Sequence, residues 1–139
     1  MNILVIDAQG GGIGRQLVAK LLERIPEADI VAAGTNSMAT NAMIKAGAKK
    51  AATGENAIRY CASQAEIITG PIGILVANAM LGEISPAIAE SVGSSTAPKV
   101  LIPTAHCNTI IAGTKALPVK DSIEDAVNRI VRIHGGEDN

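Results

Sequence analysis

The chain has 139 residues, a formal net charge of −1 and a hydrophobic fraction of 47%, with no Phe, no Trp and a single Tyr. This length suits one domain with its own core, which must be built from aliphatic side chains. The lack of Lys and Arg clusters excludes a typical nucleic-acid partner, and the lack of aromatic residues excludes a stacking platform for single strands.

The N-terminus and the cysteines predict a cytoplasmic protein. The sequence begins in an apolar segment and lacks the charged region and cleavage site of a signal peptide. Its longest apolar run, near residues 72–81, is far shorter than a membrane span, so no membrane partner is expected. Cys61 and Cys107 lie far apart and form no CxxC motif, which predicts free thiols in a reducing compartment.

Apolar periodicity and turn residues predict strands and helices that alternate along the chain. The predicted strands are residues 2–7, 29–33, 50–53, 66–69 and 99–103, and the predicted helices are residues 12–25, 36–47, 55–64, 71–81, 85–93 and 121–134. A sixth strand is predicted at residues 109–113. The connection before it is too short for a helical crossover, so this strand is expected to pair antiparallel.

This alternation predicts one α/β domain over residues 1–139. We expect a Rossmann-like, doubly wound, mostly parallel sheet with helices on both faces and an antiparallel C-terminal edge strand. Right-handed crossovers place the carboxyl ends of the strands at one rim, where such sheets bind ligands. The segment 71–81 is more apolar than a surface helix requires, which predicts a homo-oligomer unless the domain itself buries it.

A glycine-rich segment follows the first predicted strand. Residues 7–15 read DAQGGGIGR and lead into a predicted helix. Glycines let backbone N–H groups approach an anion, and the helix N-terminus adds a partial positive charge. We predict that a phosphate-bearing ligand binds the glycine loop, defined as residues 10–15, which comprises Gly10, Gly11, Gly12, Ile13, Gly14 and Arg15, with Gln9 beside it. Alternatively, the glycines only make a tight packing turn.

Two known phosphate loops fit this segment in part. The GIGR sequence at residues 12–15 resembles the T-G-x-x-x-G-I-G loop of short-chain dehydrogenases, although Asp7 and Ala8 replace the leading Thr and Gly. This partial resemblance implies NAD or NADP as the cofactor. Tyr60 has no Lys four residues later, so the catalytic Y-x-x-x-K pair is absent. The P-loop of the MinD/ParA ATPases fits less well, because Gln16 replaces the Mg²⁺-binding hydroxyl.

The whole chain also resembles a family of short, uncharacterised bacterial proteins known as a domain of unknown function. Its members carry D-G-Q-G-G-G-I-G after a first strand, then T-G-E-N-A and G-P-I-G-I segments. The corresponding segments here are residues 7–14, 53–57 and 70–74, and Ala8 departs from the family's Gly. The resemblance implies a Rossmann-like fold and supplies no established reaction.

Further ligand contacts are expected where the other strands end. Thr35 and Asn36 follow the second strand, where a dinucleotide-binding protein usually has an acidic residue for the ribose, although Asn36 also suits a helix cap. The ends of the third and fourth strands supply two more groups of candidate ligand contacts: Gly54, Glu55 and Asn56, and Gly70, Pro71 and Ile72. Glu55 could read a base or sugar, or it could only favour a helix N-terminus.

His106 and Cys107 follow the fifth strand. The pair could form a thiolate nucleophile or supply two metal ligands, or Cys107 could be a small buried residue. His106, Cys107 and Glu55 are therefore the candidate catalytic residues. We predict a nucleotide- or dinucleotide-binding domain whose reaction is unknown. The alternatives are a non-catalytic regulatory or adaptor protein that senses a nucleotide, and a small metal or redox protein that uses His106 and Cys107.

Overall fold

The apolar segment at the N-terminus forms the central strand of a five-stranded sheet. In the computed structural model, which describes residues 1–104 and 108–137, the strands are β1 (Asn2–Asp7), β2 (Asp29–Gly34), β3 (Lys50–Thr53), β4 (Ile67–Pro71) and β5 (Lys99–Ile102). Their order is β3-β2-β1-β4-β5, and every neighbouring pair runs parallel. The predicted Rossmann-like α/β fold is confirmed.

Helices cover both faces of this sheet. They are α1 (Gly12–Arg24), α2 (Ser37–Lys45), α3 (Glu55–Gln64), α4 (Pro86–Ser94) and α5 (Val119–His134). One core packs α1, α2 and α5 against the sheet, and a second core packs α3 and α4 against the other face. Of the helices that the structure describes, none is long and apolar enough to cross a membrane.

The two cores explain why β1 is a continuous apolar run rather than an alternating one. Successive side chains of a strand point to opposite faces. Ile3 and Val5 therefore enter the first core, while Leu4 and Ile6 enter the second. All four side chains are fully buried, as expected for a parallel strand that is covered on both sides.

The expected antiparallel sixth strand at residues 109–113 is wrong. These residues form turns and irregular backbone, and the sheet of the described residues is entirely parallel. Instead of pairing with β5, the segment crosses the carboxyl ends of the strands. Ile110 is 94% exposed, so the apolar residues that suggested a strand are not buried against the sheet.

The expected helix at residues 71–81 is also wrong. Pro71 ends β4, a single 3₁₀ turn covers Ile72–Leu75, and tight turns follow. Asn78, Met80 and Leu81 have positive φ angles, which excludes a continuous right-handed helix. Ile74 is fully buried in the second core, whereas Leu81 is fully exposed. The apolar composition therefore reflects burial of a few turn residues within the domain.

Gly70 lies where β4 packs most closely against β1. Its φ is +155°, and a Cβ there would overlap the carbonyl oxygen of Ile6 on the neighbouring strand. Since that obstacle is backbone, Gly70→Ala is expected to lower the free energy of unfolding by about 2–4 kcal/mol. Urea denaturation followed by circular dichroism measures this change.

Gly93→Ala is the matched control for Gly70→Ala. A Cβ at Gly93 in α4 would lie 3.9 Å from its nearest neighbour, Leu75 Cδ2. This variant is expected to be stabilised by about 0.4–1 kcal/mol, because alanine restricts the unfolded chain. A Gly70→Ala protein as stable as the control would contradict the close approach of β4 to β1.

Candidate functional site

The carboxyl ends of β1, β4 and β5 open into a cleft of about 740 Å³. The strand order reverses between β1 and β4, and such reversal points are where doubly wound sheets bind ligands. Residues after β1 form the floor, and the segment 109–119 forms the opposite wall. The described lining residues are Asp7, Ala8, Gln9, Gly10, Gly11, Gly12, Ile13, Gln16, Pro71, Ile72, Met80, Pro103, Thr104, Thr109, Ile110, Ile111, Thr114, Lys115, Ala116, Leu117 and Val119.

The glycines of the loop divide into two pairs. A Cβ on Gly11 would lie 2.9 Å from Ala39 Cα in α2, and a Cβ on Gly14 would lie 2.7 Å from Met43 Sδ. These two glycines are therefore required by packing. Gly10 and Gly12 would place a Cβ in open space, with no atom within 4 Å. Packing thus accounts for only half of the glycines, and the other half faces the cleft.

The Asp7 carboxyl organises the turn from β1 into α1. Its Oδ1 accepts the N–H of Ala8 at 2.8 Å, and its Oδ2 accepts the N–H of Gly14 in the first turn of α1 at 2.6 Å. Gly11 precedes α1 but offers no capping side chain, so Asp7 satisfies one of the unpaired helix donors from below. In the hydrogen bonds of the described residues, the N–H groups of Gly10 and Gly12 have no acceptor.

Burial is the largest effect on the Asp7 carboxyl and raises its pKa above the usual value. Hydrogen bonds from the backbone of Gly14, Ala8 and Ile13 oppose this effect without cancelling it, and the charge of Glu83 adds to it. The carboxyl is 4% exposed at the floor of the cleft. A second negative charge brought to the cleft would therefore favour the neutral form of Asp7.

The structure brings part of the predicted site together in this cleft. Gln9, Gly10, Gly11, Gly12, Ile13, Pro71 and Ile72 line it. Gly14 and Gly70 are buried beneath, in α1 and β4. Arg15 points elsewhere: with Gly10 and Lys45 it borders a shallow groove against α2. The predicted residues after β2 and β3, which are Thr35, Asn36, Gly54, Glu55 and Asn56, do not line the cleft.

Glu83 occupies the side of the rim where β2 ends. Its Oε1 accepts the backbone N–H of Gln9 at 2.9 Å, the Thr35 hydroxyl at 2.6 Å and Asn36 Nδ2 at 2.9 Å. Asn36 also caps α2, since its Oδ1 accepts the Ala39 N–H. Partial burial acts to raise the pKa of Glu83, but the three hydrogen bonds outweigh it and hold that pKa below its usual value.

The remaining candidates for catalysis lie apart from the cleft or outside the described residues. Glu55 accepts a hydrogen bond from the Ser85 hydroxyl, which is also the N-cap of α4. His106 and Cys107 lie outside the described residues. Elsewhere in the chain, in residues 1–104 and 108–137, no group of three or more potential ligands could hold a metal ion. Cys61 is partly buried, and this burial raises the pKa of its thiol.

Sequence reasoning missed Glu83, Gln16 and Lys115. Lys115 is the only basic side chain among the described lining residues, and it lies in the segment that was expected to be a strand. Gln16 follows Arg15 by one position on α1, and its Nδ-type side-chain amide, Nε2, donates to the carbonyl oxygen of Gly12 at 2.9 Å. Glu83 carried no local signal, because its partners are 47 or more residues away along the chain.

The fold and the position of the cleft define a Rossmann-like α/β domain with an open site at the switch point of its sheet. The chain belongs to the family described as Domain of unknown function (DUF3842), whose model matches residues 2–135. The resemblance to an uncharacterised family is therefore confirmed. No protein of curated function matches the sequence at a significant level.

Two solved structures are similar to the chain. One is the crystal structure of a dodecameric FMN-dependent Ubix-like decarboxylase from Escherichia coli O157:H7, with 16% identity and a TM-score of 0.53 over 97% of this chain and 95% of that chain. The other is AibC, with 14% identity and a TM-score of 0.46 over 98% of this chain and 42% of that chain. The first likeness shows a shared fold.

Asp7 makes stability depend on pH in a predictable direction. Its pKa is raised in the folded state, so the folded protein binds this proton more tightly than the unfolded chain does. The contribution of Asp7 to stability is therefore largest below the unfolded pKa and falls as pH rises through the folded pKa. The difference in free energy of unfolding between wild type and Asp7→Asn is expected to shrink between about pH 4 and about pH 8.

Chemical denaturation at several pH values measures this difference. Glu27→Gln is the control, because Glu27 is exposed and its replacement should give a difference that changes little with pH. A wild-type advantage over Asp7→Asn that grows with pH would show that Asp7 is stabilised as the carboxylate, contrary to the effect of its burial.

Proposed function

We propose that the chain binds a nucleotide-type ligand in the cleft, with its phosphate on the glycine loop. The observation that carries this proposal is the pair Gly10 and Gly12. Their N–H groups have no acceptor among the described residues, and their Cα atoms face open space at the start of α1. A phosphate there would receive backbone hydrogen bonds and the favourable end of the helix dipole.

The rest of the cleft suits the other parts of such a ligand. Ile72 and Met80 form one apolar side, and Ile110 and Leu117 face the cleft from the opposite wall. Apolar walls around a few polar groups are typical of sites for flat, ring-bearing ligands, and a volume of about 740 Å³ falls within the usual range of roughly 300–1,000 Å³. Lys115 supplies a positive charge for an anionic group.

The ligand to test first is flavin mononucleotide. The similar solved structure is that of an FMN-dependent decarboxylase, which supports a flavin among nucleotide ligands. NAD and NADP, which the glycine loop alone predicted, stay as predictions. The proposal includes no reaction, since Glu55 lies away from the cleft and His106 and Cys107 lie outside the described residues.

Comparing FMN with riboflavin isolates the phosphate, because the two ligands differ only in that group. Gly12→Val fills the open space above the loop with a side chain. We expect wild type to bind FMN more tightly than riboflavin, and Gly12→Val to weaken FMN binding by at least about tenfold, which corresponds to about 1.4 kcal/mol. Riboflavin affinity should change much less. Titrations that follow flavin fluorescence measure all four dissociation constants.

Gly93→Ala, on α4 and away from the cleft, serves as the control for binding. The unliganded Gly12→Val protein is expected to melt close to wild type, since its new side chain meets no existing atom. If this folded variant binds FMN as tightly as wild type, the glycine loop does not hold the phosphate.

We also propose that the protein is a homo-oligomer. The segment 71–81, which first suggested this, is largely buried, but Leu81 is 100% exposed and Ile110 is 94% exposed. Both edge strands, β3 and β5, have an unpaired side in the sheet of the described residues. Exposed apolar side chains and open sheet edges favour association, and the similar decarboxylase is dodecameric.

Light scattering at tens of micromolar tests self-association. The expected mass is at least twice the monomer mass of 14.2 kDa. A single species at the monomer mass would contradict the proposal. Leu81→Asp should shift the population towards smaller species if Leu81 lies in the contact, because a charge is costly to bury there.

A further inference from the structure

The connection from β4 to α4 crosses the rim of the sheet and reaches the end of β2. We call residues 76–85 the Glu83 bridge. Hydrogen bonds within it hold its shape: Asn78 donates its N–H to the Ile84 carbonyl at 2.6 Å, and Gly82 donates to the Asn78 carbonyl at 3.1 Å. Ile84 is fully buried in the second core, which anchors the bridge to the domain.

Glu83 ties this bridge to two other loops. The donors to its Oε1 come from Gln9, after β1, and from Thr35 and Asn36, after β2. Asn36 Nδ2 also donates to the Gln9 carbonyl at 3.1 Å, so the three loops form one hydrogen-bonded network. Met80, on the same bridge, lines the cleft. The cleft is therefore bounded by the bridge on its β2 side.

The side closed by the bridge is the one that a dinucleotide needs. In doubly wound sheets a dinucleotide spans the point where the strand order reverses, and its adenosine ribose is bound at the end of β2. Here the end of β2 is bonded to Glu83, and Thr35 and Asn36 do not line the cleft. We infer that the Glu83 bridge is a specificity determinant that admits a mononucleotide and excludes a dinucleotide. This inference rests on the proposed function.

Glu83 could instead be the acidic ligand of a ribose, but its hydrogen bonds argue against this role. A carboxylate oxygen offers about two lone pairs, and Oε1 already accepts three donors from the protein. The same bonds lower the pKa of Glu83, so the bridge keeps a negative charge beside the loop. That charge would repel the second phosphate of a dinucleotide.

FMN and FAD provide the test, because they share the flavin and its first phosphate and differ in the added adenylate. Flavin fluorescence titrations give both dissociation constants for wild type, Glu83→Ala and Glu83→Gln in the full chain. We expect wild type to favour FMN by at least about 30-fold and Glu83→Ala to reduce that preference at least about tenfold, chiefly by binding FAD more tightly.

Glu83→Gln keeps a side-chain oxygen that accepts the same donors. It is expected to retain the wild-type preference within about threefold, because the bridge acts by its position. Glu90→Ala, an exposed carboxyl on α4, is the matched control and should leave the preference unchanged. A Glu83→Gln preference as low as that of Glu83→Ala would overturn the inference that position closes the site.

A measurement without ligand checks that Glu83 holds the bridge. Hydrogen exchange of the Gln9 amide and of residues 78–84 is expected to be at least about tenfold faster in Glu83→Ala than in wild type. Unchanged exchange together with an unchanged preference would overturn the inference. Weaker FAD binding in Glu83→Ala would mark Glu83 as a ribose ligand and also overturn it.

The two proposals fail in different ways in this experiment. If wild type binds FMN, but binds FAD within about threefold as tightly, the inference fails and the proposed function stands. If wild type binds neither flavin, nor AMP and NAD in the matching calorimetric titrations, the proposed function fails and the inference fails with it.

Discussion

The hydrogen bonds accepted by the Asp7 carboxyl are the constraint on which the cleft depends. They join the last residue of β1 to the first turn of α1, so the glycine loop between them has a fixed path. The Asp7 carbonyl also accepts the Thr35 N–H at 3.1 Å, which ties the end of β2 to the same turn. Gly14 is small because a Cβ there would lie 2.9 Å from Asp7 Cβ. With Asp7 and Gly14 directed inward, Gly10 and Gly12 are left facing the ligand side.

Much of the fold could be predicted because its signals are local. A parallel strand buried on both faces is a continuous apolar run, and β1 and its loop show that pattern within fifteen residues. The two failures, at residues 71–81 and 109–113, occur where apolar residues do not form a regular element. Ile74 is buried from a 3₁₀ turn, and Ile110 faces the cleft. Composition indicates that such residues are apolar, but the surrounding chain decides what covers them.

The candidate site was predictable only in its nearest part. The loop after β1 and the residues after β4 line the cleft as expected from the switch point, whereas Thr35 and Asn36 are separated from it by Glu83. Identical glycine letters also conceal different constraints. Gly11 is fixed by the approach of Ala39, and Gly12 by nothing within the domain. Both distinctions arise from contacts between distant segments, which neither periodicity nor spacing reveals.

The strand order has a consequence for the order of folding during synthesis. Residues 1–53 contain β1, β2 and β3, which pair with their neighbours in sequence. The other edge of β1 pairs with β4, where Ile3 meets Ile67, so that partner leaves the ribosome only after more than sixty further residues. Until then β1 presents an unpaired, wholly apolar edge to the cytosol or to a chaperone. Nascent chains that stall between β3 and β4 are therefore the species of this protein most prone to aggregate.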